Sequence, residues 1–416
     1  MRETNWAGNY TYHASKIHRP SSLARVQEIA ARAAELRVLG SRHSFTAMVD
    51  ANELLSLERM PIDLSIDRDA GTVSFGAQLR YGDLAQALEN AGMALANLAS
   101  LPHICVAGAV ATATHGSGDA NGNLATSVAA LELVTSDGEL RTASRADEDF
   151  AGLVVSLGAL GVVTRLTLDI EPSYEVRQSA FNDLSWDALL THFDAITSSG
   201  YSVSIFTLWD ESHNGVWVKT RVGNAAESLG EDFFGAIAAR AQQHMIAGID
   251  PVNCTPQLGS PGPWLQRLPH FRMGFTPSSG EEIQSEYHVP RRHAVAALEA
   301  LRARAEVIRP LLLVTEIRTV TADDLWLSPQ YLQDTVAIHF TWRPDQAAVE
   351  RVLVDVESAL APFEPRPHWG KLFLAGAETL APRYPRLDDF VGLLARSDSR
   401  GAFTNAWLRT HLLGRP

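Results

Sequence analysis

Cysteine is scarce in this chain: Cys105 and Cys254 are the only two in 416 residues. They lie far apart and form no CxxC pair. That excludes a disulfide framework and leaves reduced thiols in a reducing compartment as the expectation. Long hydrophobic runs are missing as well. The most apolar stretch, GLVVSLGALGVV at 152–163, is too short and too rich in glycine to span a bilayer. The amino terminus, MRETNWAGNYTYHASKIHRP, lacks the apolar centre of a signal peptide. These absences predict a cytoplasmic protein with no membrane partner. Positive charge is in deficit: 35 Lys and Arg against 48 Asp and Glu give a formal net charge of −13. Nucleic acid and anionic lipid both require clustered cations, so neither is expected as a partner.

Several chemistries lack their motifs. Among 14 histidines there is no HExxH, no HxH and no Cys/His cluster with metal-ligand spacing, so no metal is expected. No GxSxG nucleophile elbow is present. No GxGxxG opens a Rossmann helix, and there is no Walker A sequence. Acidic pairs occur as on any acidic protein and neither support nor exclude a glycosidase dyad.

What is present suits a two-domain globular protein: 46% hydrophobic and 20% charged residues over this length. The first part alternates short β-rich runs with helical ones, as α/β and α+β domains do. SSLARVQEIAARAA (21–34) predicts a helix capped by Ser21 or Ser22. VAALELVTSDGELRTAS (128–144) predicts a hairpin turning at Asp137-Gly138. GVVTRLTLDIEPSYEV (161–176) reads as one long strand, with a break at Pro172. Beyond about residue 175 tryptophan and Pro/Gly loops become frequent, HAVAALEALRARAEVIRPLL reads as a helix, and strands are expected near 312–320 and 334–342. This places a first domain at 1–172, a second at 173–371, and a tail at 372–416 that returns to the first.

Three segments of the first half are rich in small residues: GSRHS at 40, GAVATATHGSG at 108 and SLGALGVV at 156. Such loops let backbone N–H groups approach an anion closely and suit a pyrophosphate. Glycine also simply turns a chain. Two of the loops carry a histidine, His43 and His115. In the second half, Glu316 and Arg318 are two apart and share a strand face, as do His339 and Thr341, with Ile338, Phe340 and Trp342 on the other side. Lys371 follows His368 in RPHWGK. The set reads either as a hydrogen-bonding surface for a hydroxyl-rich ligand or as an exposed strand face with cross-strand ion pairs. The apolar flanks Val314 and Val320 favour the first.

In order along the chain, VLGSRHSF, NLASLPHICVAGAVATATHGSG, LGALGVVTRLTLDIEPSY, EIRTV, DTVAIHFTW, RPHWGK and FTNAW resemble the sugar-alcohol (alditol and xylitol) oxidases of the vanillyl-alcohol-oxidase type of flavoprotein. The resemblance runs from NWAGN at residue 5 nearly to the carboxyl end. It implies an α+β, two-domain fold: a PCMH-type FAD-binding domain and a substrate domain with an antiparallel sheet. It implies oxidation of a polyol such as xylitol or sorbitol at its terminal C1 hydroxyl, with hydride passing to flavin N5 and O2 reduced to H2O2, by a monomer. The alternative on the same fold is an aldono-1,4-lactone oxidase or dehydrogenase.

The resemblance also assigns residues. His43 would bond covalently to the flavin 8α-methyl. Gly40, Ser41, Arg42, Ser44, Ser100, His103, Gly108, Thr112, Thr114, His115, Gly116, Ser117, Gly161, Val162 and Asn405 would complete the FAD site. Ser100, Glu316, Arg318, His339, Thr341 and Lys371 would bind the polyol, with Lys371 and Arg318 stabilising developing alkoxide and Glu316 and His339 assisting. Arg42 touches either the flavin or solvent. Cys105 stands where a serine or another small residue is expected.

Overall fold

The computed structural model describes residues 3–210, 214–223, 229–230, 232–274 and 282–414. In the amino-terminal part, a parallel sheet places Glu53–Leu55 between Lys16–His18 and Leu36–Val38. A five-stranded antiparallel sheet runs in the order Ser65–Asp67, Thr72–Gly76, Val162–Asp169, Val128–Val134, Leu140–Ser144. The expected hairpin is its edge. Gly138 sits there at φ +81°, where a Cβ would also lie 2.8 Å from the Gln27 carbonyl. The helix expected at 21–34 spans Leu23–Arg32 after Ser22 in extended backbone. Its buried Val26, Ile29 and Ala30 share a core with Leu36, Leu55, Val134, Val162 and Phe403, so helix, both sheets and the carboxyl-terminal segment are joined apolar side to apolar side.

The second body is a ten-stranded antiparallel sheet. Its centre runs in the order Glu175–Asn182, Gly215–Arg221, Ser202–Thr207, Leu312–Val320, Thr335–Trp342, Ile283–Pro290. Side chains alternate as the sequence pattern requires. Ile317, Ile338 and Phe340 join Leu298, Val349 and Leu353 of the helices Ala294–Arg302 and Gln346–Leu360 in one core. The opposite face carries Glu316, Arg318, His339 and Thr341, and all four are buried. An exposed strand face is therefore ruled out for these residues.

Two expectations need correction. The strand expected over 161–176 is Val162–Asp169, then a two-residue strand Glu171–Pro172 paired with Met93–Ala94, then Glu175–Asn182 in the large sheet. The helix expected over HAVAALEALRARAEVIRPLL is split into Ala294–Arg302 and Ala305–Ile308, because Arg304 leaves helical geometry at φ −106°, ψ 10°. The last residues dock on the first part of the chain. Leu36 N–H donates to the Ala402 carbonyl (2.7 Å), and fully buried Arg37 donates to the carbonyls of Leu157, Gly158 and Phe403.

Candidate active site

A cavity of about 830 Å³ lies between the small-residue loops and the polar face of the large sheet. On the loop side, the chain leaves the Leu36–Val38 strand through Gly40 and Ser41 and reaches Arg42 in left-handed backbone, φ +64°. That conformation is unfavourable for a residue with a Cβ. Arg42 is held by Glu3 at 2.6 Å, so its guanidinium is ion-paired as well as lining the cavity. His43 follows, stacked on Trp6 with ring centroids 5.2 Å apart. Among the described residues neither ring nitrogen has a hydrogen-bond partner. Burial lowers its pKa to about 4, so the imidazole is neutral and its lone pair is available.

The second loop is tied to the first by Cys105 N–H donating to Ser41 Oγ at 3.0 Å. It continues into the six-residue helix Val106–Ala111. A Cβ on Gly108 would meet nothing within 4 Å, and one on Gly40 only the Cys105 Cβ at 3.9 Å. Both loops thus present bare backbone to open space, and Thr112, Thr114 and His115 line the same wall. A flavin cofactor fits what is there: a trough of backbone, small side chains and an unpartnered neutral imidazole.

Across the cavity, strand register does the positioning. Glu316, His339 and Glu286 stand directly opposite one another on three adjacent strands. Glu286 accepts from Arg318 at 2.7 Å and from the Lys371 ammonium, and His115 Nε2 lies 3.0 Å from the same Oε1 that Arg318 reaches. Burial alone would raise the Glu286 carboxyl; Lys371 and Arg318 outweigh it and hold it well below the usual range. Glu316 is likewise held ionised against burial, by Arg318 and His270. The Lys371 ammonium is 2.7 Å from His339 Nδ1. An ammonium only donates, so Nδ1 accepts, and the His339 hydrogen lies on Nε2, 3.0 Å from Thr341 Oγ1. Burial, reinforced by Lys371, lowers His339 to about 4. Arg318 also reaches Ser100 Oγ at 3.4 Å.

The cavity brings together Gly40, Ser41, Arg42, His43, Ser44, Ser100, Gly108, Thr112, Thr114, His115, Glu316, Arg318, His339, Thr341 and Lys371. It does not bring in six others expected at the FAD site. His103 Nε2 bonds the Met273 carbonyl (3.0 Å). Gly116 is pressed against Asn97 and Leu98, and Ser117 Oγ bonds Ser202 Oγ at 2.6 Å. Gly161 abuts the Val134 carbonyl, and Val162 is core. Asn405 donates to the carbonyls of Ala47, Met48 and Asp50. Sequence reading missed Glu286, although Gln284, Glu286 and His288 show the same two-residue spacing that singled out Glu316 and Arg318. Among the described residues, His115, Glu286 and His288 have ligand atoms within 4.8 Å of one another. Arg318 and Lys371 already neutralise that carboxylate, and a metal ion there would face both cations.

Residues 14–144 match the family model described as FAD binding domain, and residues 278–411 match the one described as D-arabinono-1,4-lactone oxidase. An alditol oxidase of Streptomyces sp. is 47% identical over 416 residues, covering 99% of both chains. The chain belongs to the alditol oxidase family. It is an FAD-dependent oxidoreductase. An L-gulono-1,4-lactone dehydrogenase of Mycobacterium tuberculosis is more distant, 28% identical over 98% of each chain. In fold, a solvent-stable cholesterol oxidase superposes with a TM-score of 0.80 at 16% identity, over 98% of this chain and 96% of that one. Cholesterol oxidase from B. sterolicum gives 0.78 at 15%, over 99% and 96%. The two-domain, PCMH-type α+β architecture is thus shared. Among the described residues no helix is long and apolar enough to cross a membrane.

Proposed function

We propose that this member of the family oxidises the terminal hydroxyl of polyols such as xylitol and sorbitol to the aldose, with O2 as electron acceptor and FAD held covalently through His43. The observation that carries this reading is the buried polar face opposite the His43 loop, on a chain 47% identical throughout to an alditol oxidase. Residues 1–172 with 372–416 form the FAD domain in this reading, and 173–371 the substrate domain. Both cysteines are free, which fits a reducing, cytoplasmic setting.

FAD, when bound, would supply the hydride acceptor and the route of two electrons to O2. The chain's residues bind, orient and polarise. Glu316, Ser100 and Thr341 offer acceptors and hydroxyls to an open-chain polyol, and a site so built disfavours analogues lacking those hydroxyls. Arg318 and Lys371 place two cations on the polar wall, where they favour alkoxide character at the reacting oxygen. Glu286 keeps both cations in place. His339, neutral and accepting from Lys371, orients Lys371 and Thr341. A lactone reading is supported by the family match over 278–411 but by much lower identity. The test is anaerobic mixing. Xylitol bleaches the oxidised-flavin absorbance and an aldono-1,4-lactone leaves it; bleaching by the lactone alone contradicts the proposal.

A further inference from the structure

We infer that His270, on the cavity wall, and Lys219, behind it, are positioning residues that fix the Glu316 carboxylate for polyol binding. This rests on the proposed function and deepens it. Lys219, on the Gly215–Arg221 strand, is 2% exposed. Among the described residues no carboxylate lies within ion-pair distance of it. Its ammonium donates to the Leu268 carbonyl and to His270 Nδ1 at 3.1 Å. Burying an ammonium without a counter-ion is costly, and an apolar side chain would fill the same space without that cost. A polar nitrogen kept there acts on something, and the contacts show on what.

Glu316 is ionised and a carboxylate only accepts, so the His270 hydrogen is on Nε2 and His270 Nδ1 accepts from Lys219 Nζ. Nε2 lies 2.7 Å from Glu316 Oε1. The chain of donors therefore runs one way, from the Lys219 nitrogen through neutral imidazole to carboxylate. Burial, reinforced by the charge of Lys219, lowers His270 to about 4, which keeps the ring neutral in that role. The rings of Phe206 and Trp217 stand edge-on to it, 5.7 and 5.0 Å away, and prevent it turning. The Arg318 Nε also approaches Oε1, at 3.6 Å. Both contacts fall on one oxygen, and among the described residues this leaves Oε2 to accept from a substrate hydroxyl. The backbone of the same segment holds Ser100: His270 and Phe271 N–H both donate to its carbonyl, at 3.0 and 3.2 Å. One segment thus sets two of the polyol-binding residues, and only the Glu316 side of the arrangement depends on the imidazole.

The test is a double-mutant cycle on the full-length, FAD-loaded protein, read as KM for xylitol and the saturating rate of anaerobic flavin reduction. His270→Phe raises KM roughly tenfold, as for a lost hydrogen bond to a charged group, and changes the saturating rate by less than about threefold. His270→Gln, whose amide N–H replaces Nε2–H, recovers most of the affinity, and Lys219→Met shifts KM in the same direction as His270→Phe. In a Glu316→Gln background His270→Phe adds less than about twofold. Additive losses, or failure of His270→Gln to recover affinity, overturn the inference while leaving the polyol reaction standing. A wild type that no polyol reduces overturns the proposed function and the inference with it. Should the variants lose FAD, the 15N resonances of His270 in the wild type decide: an Nε2–H tautomer is expected, and an Nδ1–H tautomer overturns the inference.

Discussion

Glu286 is the side chain on which the cationic end of the site depends. It is 1% exposed and holds Arg318 and Lys371 together. Removing one member of a buried ion cluster leaves uncompensated charge, so Glu286→Leu should cost about 3–5 kcal/mol. A fall in Tm of the FAD-loaded protein checks this, and an unchanged Tm contradicts it. Lys371→Ala should slow flavin reduction by polyol about 100-fold, the scale for losing one charge-stabilising donor, while FAD stays bound. Equal loss of rate and cofactor would instead make Lys371 a structural residue. His43→Ala should release FAD into the supernatant on acid precipitation, where the wild type keeps it in the pellet; release from both removes the covalent link from the account. At this scale the sequence was legible where spacing carries the signal. The two-residue steps Glu316/Arg318 and His339/Thr341 identify one strand face. Glu286 has the same spacing to Gln284 and His288 but sits in a run with no further mark. Lys219 and His270 are 51 positions apart, and only the fold makes them neighbours.

At the scale of elements, the small-residue loops serve two purposes that look alike in sequence. Gly40 and Gly108 face open space beside the cavity, where bare backbone would meet a ligand in the proposed reading. Gly116 and Gly161 are glycine because the chain is crowded: a Cβ on Gly116 would lie 2.4 Å from Asn97 Oδ1, and one on Gly161 2.6 Å from the Val134 carbonyl. Gly116→Ala should therefore destabilise by about 1–3 kcal/mol through overpacking. Gly108→Ala, built into space, should leave Tm of the FAD-free protein nearly unchanged while weakening FAD retention. Thermal unfolding with and without FAD separates the two, and the reverse order of effects contradicts the assignment. The strands Leu312–Val320 and Thr335–Trp342 were legible because apolar and polar residues alternate. The break at Arg304 was not, because no glycine or proline marks it.

For the whole molecule, buried charge makes stability rise with pH in two separate ranges. Glu286 and Glu316 are depressed carboxyls. Their contribution is present above the pKa of an unfolded carboxyl and is lost as pH falls through their lower folded values. Lys219 is a cost rather than a contribution, and it acts at higher pH. Burial pulls it from 10.5 to about 7, so between those values the unfolded chain binds a proton that the folded chain does not. Its cost is therefore full below pH 7 and fades as pH rises towards its unfolded pKa. Lys219→Met should stabilise the protein most at the acid end of that range and progressively less above it, and a pH-independent difference would contradict the sign.

The proposed division of the chain into a flavin-binding and a substrate-binding part on either side of one cavity gives the account its central claim: the polar face opposite His43 receives an open-chain polyol. The most direct measurement is H2O2 formation in air by the purified protein given xylitol, sorbitol and an aldono-1,4-lactone in parallel. The account predicts peroxide from both polyols and none from the lactone; peroxide from the lactone alone would contradict it.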